Sequence, residues 1–83
     1  MKASSDLIQA WKQAPQAQVA VLVRFEGDAS PCVKTINDLG MSVSYVFQLT
    51  NTIANSGPAH CVLELLEKPW VSKIEKDQKV TTC

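Results

Sequence analysis

The clearest pattern in the chain is an alternation of residue types near its middle. Apolar residues recur at every second position, and mostly small or polar residues stand between them. A period of two is typical of a β-strand with one face on the core. The pattern predicts a strand from Met41 to Leu49. Its core face would carry Met41, Val43, Tyr45, Phe47 and Leu49, and its other face Ser42, Ser44, Val46 and Gln48.

Three further segments are predicted to be strands. Gln18 to Glu26 contains the run VAVLVRF, which is β-branched and continuous, as expected of a central strand. Thr52 to Ser56 follows a turn candidate and would return as the second arm of a hairpin. Val71 to Lys76 would form the last strand.

Three segments predict helices. Ser5 to Gln13 has a capping residue followed by apolar residues at helical spacing. Ser30 to Leu39 would begin with Ser30 as its N-cap and stop at Gly40, since glycine readily adopts a left-handed conformation. A third helix would begin with a second cap-then-proline sequence, Ser56-Gly57-Pro58, and end near Lys68.

The order of the predicted elements is a helix followed by β-α-β-β-α-β. Two right-handed crossovers that share one antiparallel sheet give an α+β fold of the ferredoxin-like type, here with an extra N-terminal helix. We expect a single domain over residues 1–83, with the helix at 4–14, the ferredoxin-like core at 18–77 and a C-terminal tail at 78–83. The fold hosts many functions and specifies none of them.

Charge and hydropathy limit the classes of partner. Eight basic and eight acidic residues cancel, so the chain lacks the excess positive charge typical of proteins that bind nucleic acid or anionic membranes. No apolar run approaches the roughly 20 residues of a membrane span. The N-terminal residues do not resemble a secretion signal. These features predict a soluble cytoplasmic protein whose partner is another protein.

The reactive side chains do not form a catalytic or metal-binding pattern. Cys32, Cys61 and Cys83 include no CxxC pair and no histidine at metal-ligand spacing, which favours reduced thiols and neither metal nor cofactor. His60 precedes Cys61 directly, but neighbours on a helix diverge by about 100°, which argues against a nucleophile and base pair. We therefore expect a binding protein rather than an enzyme.

Four segments in a fixed order carry a family likeness. They are the strand VAVLVRF at 19–25, LGMSV at 39–43, Gly57-Pro58 opening a leucine-rich helix, and KPWVSKIEKDQKV at 68–80. Together they resemble the prodomains of subtilisin-like serine proteases, the inhibitor I9 family. The resemblance covers Gln18 to Val80. The absence of a protease domain makes the chain similar to the small free-standing cytosolic inhibitors of that family, which act in trans.

The resemblance implies a mode of inhibition. The open sheet face would dock on paired surface helices of the protease, and the tail would lie substrate-like in the active-site cleft. Four successive substrate pockets would receive Val80, Thr81, Thr82 and Cys83, with main-chain pairing to the cleft edges. The docking face would carry Ser42, Ser44, Val46 and Gln48, and the acidic Glu75 and Asp77 would cap helix N-termini of the protease.

Alternatives stay open at this point. The tail could be a frayed terminus, and Glu75 and Asp77 could be ordinary solvated charges. The N-terminal helix could cover the sheet face. A different class of function is a ferredoxin-like regulatory or assembly module that acts through sheet-mediated protein association. In either case we expect the chain to be a monomer or weak dimer. A hydrolase of this fold would need an arginine in a phosphate-binding loop, whereas the single arginine, Arg24, lies in a predicted strand.

Overall fold

The computed structural model describes residues 2–77, and over this range the chain is an α+β protein with three helices and a four-stranded antiparallel sheet. The elements follow the predicted order of a helix and then β-α-β-β-α-β. They are α1 (Ser5–Gln13), β1 (Gln18–Phe25), α2 (Ala29–Asp38), β2 (Ser42–Phe47), β3 (Thr52–Pro58), α3 (Ala59–Leu65) and β4 (Val71–Lys76).

The strands lie in the order β2-β3-β1-β4, and each neighbouring pair is antiparallel. One face of this sheet packs against the helices. Its apolar residues, such as Val23, Ile53 and Ile74, form one buried cluster with residues from all three helices. Residues of the opposite face, including Arg24 and Lys73, are exposed. We call this second face the open face.

The start of α2 differs from the prediction. The helix begins at Ala29 with Asp28 as N-cap, and Ser30 lies inside the first turn. The end agrees with it, because Gly40 has a left-handed φ of 104°. The amide of Gly40 donates to the Asn37 carbonyl and the next amide donates to the Ile36 carbonyl, the pair of bonds that closes many helices at glycine.

The third helix begins later than predicted. Ser56 and Gly57 belong to β3, because pairing with β1 continues as far as Pro58. The helix α3 starts at Ala59 and ends at Leu65, earlier than the predicted end near Lys68. Gly57 also allows a close approach between chain segments. A Cβ at this position would lie 2.8 Å from the Met41 Cγ and 3.1 Å from its Cα.

The N-terminal helix α1 packs beside α3 rather than across the open face. Trp11 anchors the helix there, because its side chain belongs to the core cluster and is only 4% exposed. The Ser4 hydroxyl accepts a hydrogen bond from the Leu7 amide and caps the helix start. The helix α1 therefore does not cover the open face.

Candidate functional site: the open face of the sheet

A β-bulge in β2 determines which side chains reach the open face. Val43 is opposite Asn55, and the next paired residue, Tyr45, is opposite Ala54, so Ser44 is an extra residue in the strand. Alternate residues of a strand point to opposite faces, and one extra residue therefore reverses the alternation that follows it. Every residue of β2 after Ser44 faces the side opposite to the predicted one.

The bulge corrects the predicted core face. Tyr45 and Phe47 were expected in the core but are 60% and 36% exposed. Val46 was expected on the docking face but packs against the core, opposite the fully buried Ile53. Leu49 is also exposed, because it lies beyond the end of β2 in the turn toward β3.

The other three predicted docking residues of this segment do not lie together in the structure. Ser42 precedes the bulge and stays on the open face, opposite Ser56. Ser44 is the bulge residue itself. Gln48 follows the end of β2 and lines a shallow groove with Val46 and Val33 of α2, on the helical side of the sheet. Thus the predicted set Ser42, Ser44, Val46 and Gln48 does not form one surface.

The register instead aligns a different set of side chains on the open face. They stand in rows that cross all four strands. One row contains Lys73, Arg24, Thr52 and Phe47, and the adjacent row contains Glu75, Leu22, Ala54 and Tyr45. The rings of Tyr45 and Phe47 contact each other edge to face, with centroids 4.7 Å apart. Such a pair offers a large rigid apolar contact area.

Charged side chains lie at the other side of the same face. The Lys73 Nζ is 2.8 Å from the Glu75 Oε2. The hydrogen bond from Lys73 lowers the pKa of the Glu75 carboxyl, and the positive charges of Lys73 and Arg24 lower it further. The predicted acidic residue Glu75 is therefore on the open face, but with a lysine partner. Asp77 follows β4, and its amide donates to the Ala20 carbonyl at 3.0 Å.

The open face forms the floor of a groove of ≈ 1340 Å³. Leu22, Arg24 and Glu75 lie on this floor, and Asp77 lines the groove just past the end of β4. A broad groove with Phe47 at one margin and the charged pair of Lys73 and Glu75 at the other has the shape to contact a convex surface.

The buried thiols occupy structural positions. The Cys61 Sγ donates to the Leu39 carbonyl at 3.0 Å and lies 3.8 Å from the His60 Nδ1. Burial raises the pKa of the Cys61 thiol, and the Glu64 carboxylate raises it further. Cys32 is likewise buried, donates to the Asp28 carbonyl, and has a raised pKa. Both cysteines are thus small buried residues of the core cluster.

Comparisons with known proteins leave the family resemblance as a hypothesis. No protein-family model matches the chain, and its sequence has no significant match among curated proteins.

Within residues 2–77, none of the helices has the length and apolarity needed to cross a membrane. Over the same range, no group of three or more metal-ligating side chains could hold a metal ion. The predicted tail residues Val80, Thr81, Thr82 and Cys83 lie outside the described residues.

Deletion of Ser44 tests the bulge directly. Because Ser44 has no paired position on β3, its removal should join Val43 and Tyr45 in a regular ladder and leave Tyr45 on the open face. We expect the free energy of unfolding to change by less than about 1 kcal/mol. Chemical nitration of Tyr45, the single tyrosine, should remain efficient. A strand without a bulge would instead turn Tyr45 to the other face on deletion, and nitration would then change sharply.

Proposed function

We propose that this chain is a cytoplasmic, propeptide-like inhibitor of a subtilisin-type serine protease, built on the ferredoxin-like arrangement. The strand order β2-β3-β1-β4 and the packing of α2 and α3 on one side of the sheet support this arrangement. The free, buried thiols of Cys32 and Cys61 are compatible with a reducing compartment. The observation that carries the proposal is the open face with its exposed aromatic pair.

The docking step would use Tyr45 and Phe47 as apolar anchors. Exposed aromatic side chains supply much of the binding free energy at protein interfaces when a partner excludes water around them. The paired charges of Lys73 and Glu75 would lie at the rim, where charged contacts add specificity more than affinity. This arrangement replaces the polar docking face that the sequence pattern predicts.

The inhibitory step would use the tail. The strand β4 ends at Lys76, and the bond from the Asp77 amide to the Ala20 carbonyl keeps the chain beside β1 at that point. From there the tail would enter the substrate cleft, with Val80 in the apolar fourth pocket and Cys83 in the primary pocket. An extended segment of this kind binds by main-chain pairing, with side chains in successive pockets. The folded domain would hold it in place and slow its cleavage.

Truncation separates docking from inhibition. A chain that lacks Val80 to Cys83 should inhibit a subtilisin at least about tenfold more weakly, because the cleft contacts are lost. Binding to the same protease with its catalytic serine chemically blocked should persist through the open face. The measurements are an inhibition constant and a dissociation constant for each chain. The proposed tail mechanism is wrong if both chains inhibit equally.

The second candidate is a module that associates through its sheet, and the same exposed aromatic pair favours it. Large exposed apolar patches also mark surfaces that bury themselves against another copy. Sedimentation of the chain alone distinguishes the two candidates. A stable dimer that buries Tyr45 would support the association module, whereas a monomer that binds a subtilisin supports the inhibitor.

A further inference from the structure

The two outer strands of the sheet, β4 and β2, are protected to different degrees. N-terminal residues cover the edge of β4, where the Ile74 amide donates to the Lys2 carbonyl at 2.7 Å. The Lys2 Nζ in turn donates to the Lys68 carbonyl at 2.7 Å, which fixes this segment in place. The strand also carries three charged residues, Lys73, Glu75 and Lys76. Cover and charge both keep a sheet edge from pairing with another chain, so β4 is closed to a further strand.

The edge of β2 has neither form of protection. Its six residues, SVSYVF, include no charged side chain and no proline. Among residues 2–77, no backbone hydrogen bond from outside the sheet reaches this strand. Its one protective feature is the bulge at Ser44, which interrupts the regular stretch without covering it. An edge strand of this kind is a template for pairing with another strand.

The register identifies unpaired backbone groups on the β2 edge. The Phe25 amide donates to the Asn51 carbonyl, and bonded residues alternate along an antiparallel strand, so Val23 bonds to Ile53 of β3. Ile53 thus directs its backbone groups toward β1 and away from β2. The residue opposite it on β2, Val46, therefore directs its N–H and C=O outward. Because the Val46 side chain points to the core, a strand can pair with these groups without moving it.

The charges beside this edge do not oppose a second copy of the chain. The charged side chains of the groove between α2 and the end of β2 are Lys34 and Asp38, which have opposite signs and lie 3.7 Å apart. The whole chain also has a formal net charge of zero at pH 7. Proteins with little net charge associate more readily, because the long-range repulsion between copies is small.

The difference between the two edges determines how copies can combine. Pairing of β2 in one copy with β4 in another would build a filament, but the N-terminal residues cover β4. Pairing of β2 with β2 uses the free edge of both copies and therefore ends at a dimer. In such an antiparallel pair, identical side chains meet near the two-fold axis, and the uncharged sequence of β2 brings no like charges together there.

We propose that β2 is a self-association edge, and that two copies pair β2 with β2 antiparallel in a weak two-fold dimer. The dimer forms one continuous sheet, and the open face stays uncovered on both copies. The short strand and its bulge make the contact small, so the chain is mainly monomeric when dilute. This inference is independent of the proposed protease docking, which would use the face of the sheet and not its edge.

The test places a charge at the bulge, where the Ser44 side chain is exposed. Ser44→Lys and Ser44→Glu, each alone, should weaken dimerisation of the full chain by about tenfold, because like charges face each other across the two-fold axis. An equimolar mixture of the two variants should associate at least as tightly as the unmodified chain. The matched control, Ser72→Lys on the exposed side of β4, should change the dissociation constant less than about twofold. Sedimentation velocity at chain concentrations up to about 1 mM gives each constant.

Three results would overturn the proposal. The first is an unmodified chain that stays monomeric at every concentration. The second is a mixture of Ser44→Lys and Ser44→Glu that associates no more tightly than either variant alone. The third is a dimer that survives Ser44→Lys but is lost with Leu22→Lys, which charges the open face, because the copies would then meet face to face. None of these results bears on inhibition of a subtilisin, which is measured separately.

Discussion

Replacement of both Tyr45 and Phe47 with serine should strongly weaken the proposed docking on a protease while the chain stays folded. Interface anchors of this type contribute about 2 kcal/mol or more each, so the double variant should bind on the order of 1000-fold more weakly. Tyr45 is 60% and Phe47 is 36% exposed in the free chain, so the double variant loses the contact between the two rings and the part of each ring that packs on the sheet. Partial burial of two aromatic side chains is worth about 2 kcal/mol of folding stability. Calorimetric titration against an active-site-blocked subtilisin gives the affinity, and thermal unfolding gives the stability.

The matched control for this prediction is Val46→Thr. Val46 stands between the two aromatic residues in sequence but points to the core. A hydroxyl at this position should lower the free energy of unfolding by about 1 kcal/mol and leave the affinity nearly unchanged. If Val46→Thr weakens binding as strongly as the double serine variant, the bulge does not orient β2 as the structure places it.

Replacement of Ile53 with alanine should cause the largest loss of stability among single core variants considered. Ile53 is fully buried on β3, between Val23 of β1 and Val46 of β2. Truncation of such a residue removes buried methyl groups and leaves a cavity, at a cost of about 2–5 kcal/mol. For a domain of this size that corresponds to a fall in the midpoint of thermal unfolding of at least about 10 °C.

The neighbouring residue provides the control. Thr52 faces the open side, where its hydroxyl donates to the Thr50 carbonyl in an exposed turn. Thr52→Ala should cost no more than about 1 kcal/mol. Equal losses for Thr52→Ala and Ile53→Ala, measured by chemical denaturation, would contradict the assigned faces of β3.

The elements that sequence reasoning predicted well are marked by local sequence signals. The strand Val71–Lys76 and the helix Ser5–Gln13 have the bounds that were predicted. Gly40 ends α2 because its left-handed φ satisfies the last carbonyls, which is a property of a few consecutive residues. Patterns of this kind can be recognised from the chain alone, since they do not require knowledge of the partner strand.

The orientation of β2 could not be predicted in this way because it depends on pairing with β3. The alternation from Met41 to Leu49 is regular in sequence, and an extra residue becomes visible only when Ser44 finds no partner position. One signal was present. Val46 is a β-branched apolar residue on the face that otherwise reads as small and polar, and its burial resolves that conflict. The bulge lies beside Asn55, a buried residue whose Oδ1 has no hydrogen-bond partner in the described structure.

The candidate site was predicted only in part for the same reason. Ser42 and Glu75 lie on the open face as expected. Ser42 precedes the bulge in β2, and Glu75 pairs with Leu22, beyond the shift in register near the start of β4. Tyr45 and Phe47 were missed, since large aromatic side chains in an alternating strand are normally assigned to the core. A docking surface also lacks the fixed residue spacing of a catalytic motif, so only the pairing of the strands brings its members together.

Nitration of Tyr45 tests the central claim most directly, because Tyr45 is the single tyrosine of the chain. Tetranitromethane would be applied to the free chain and to its complex with an active-site-blocked subtilisin, and modification would be measured by peptide mass spectrometry. We expect rapid nitration of Tyr45 in the free chain and strong protection in the complex. Slow nitration in the folded free chain would contradict the outward orientation of Tyr45, and equal nitration in a saturated complex would contradict docking through the open face.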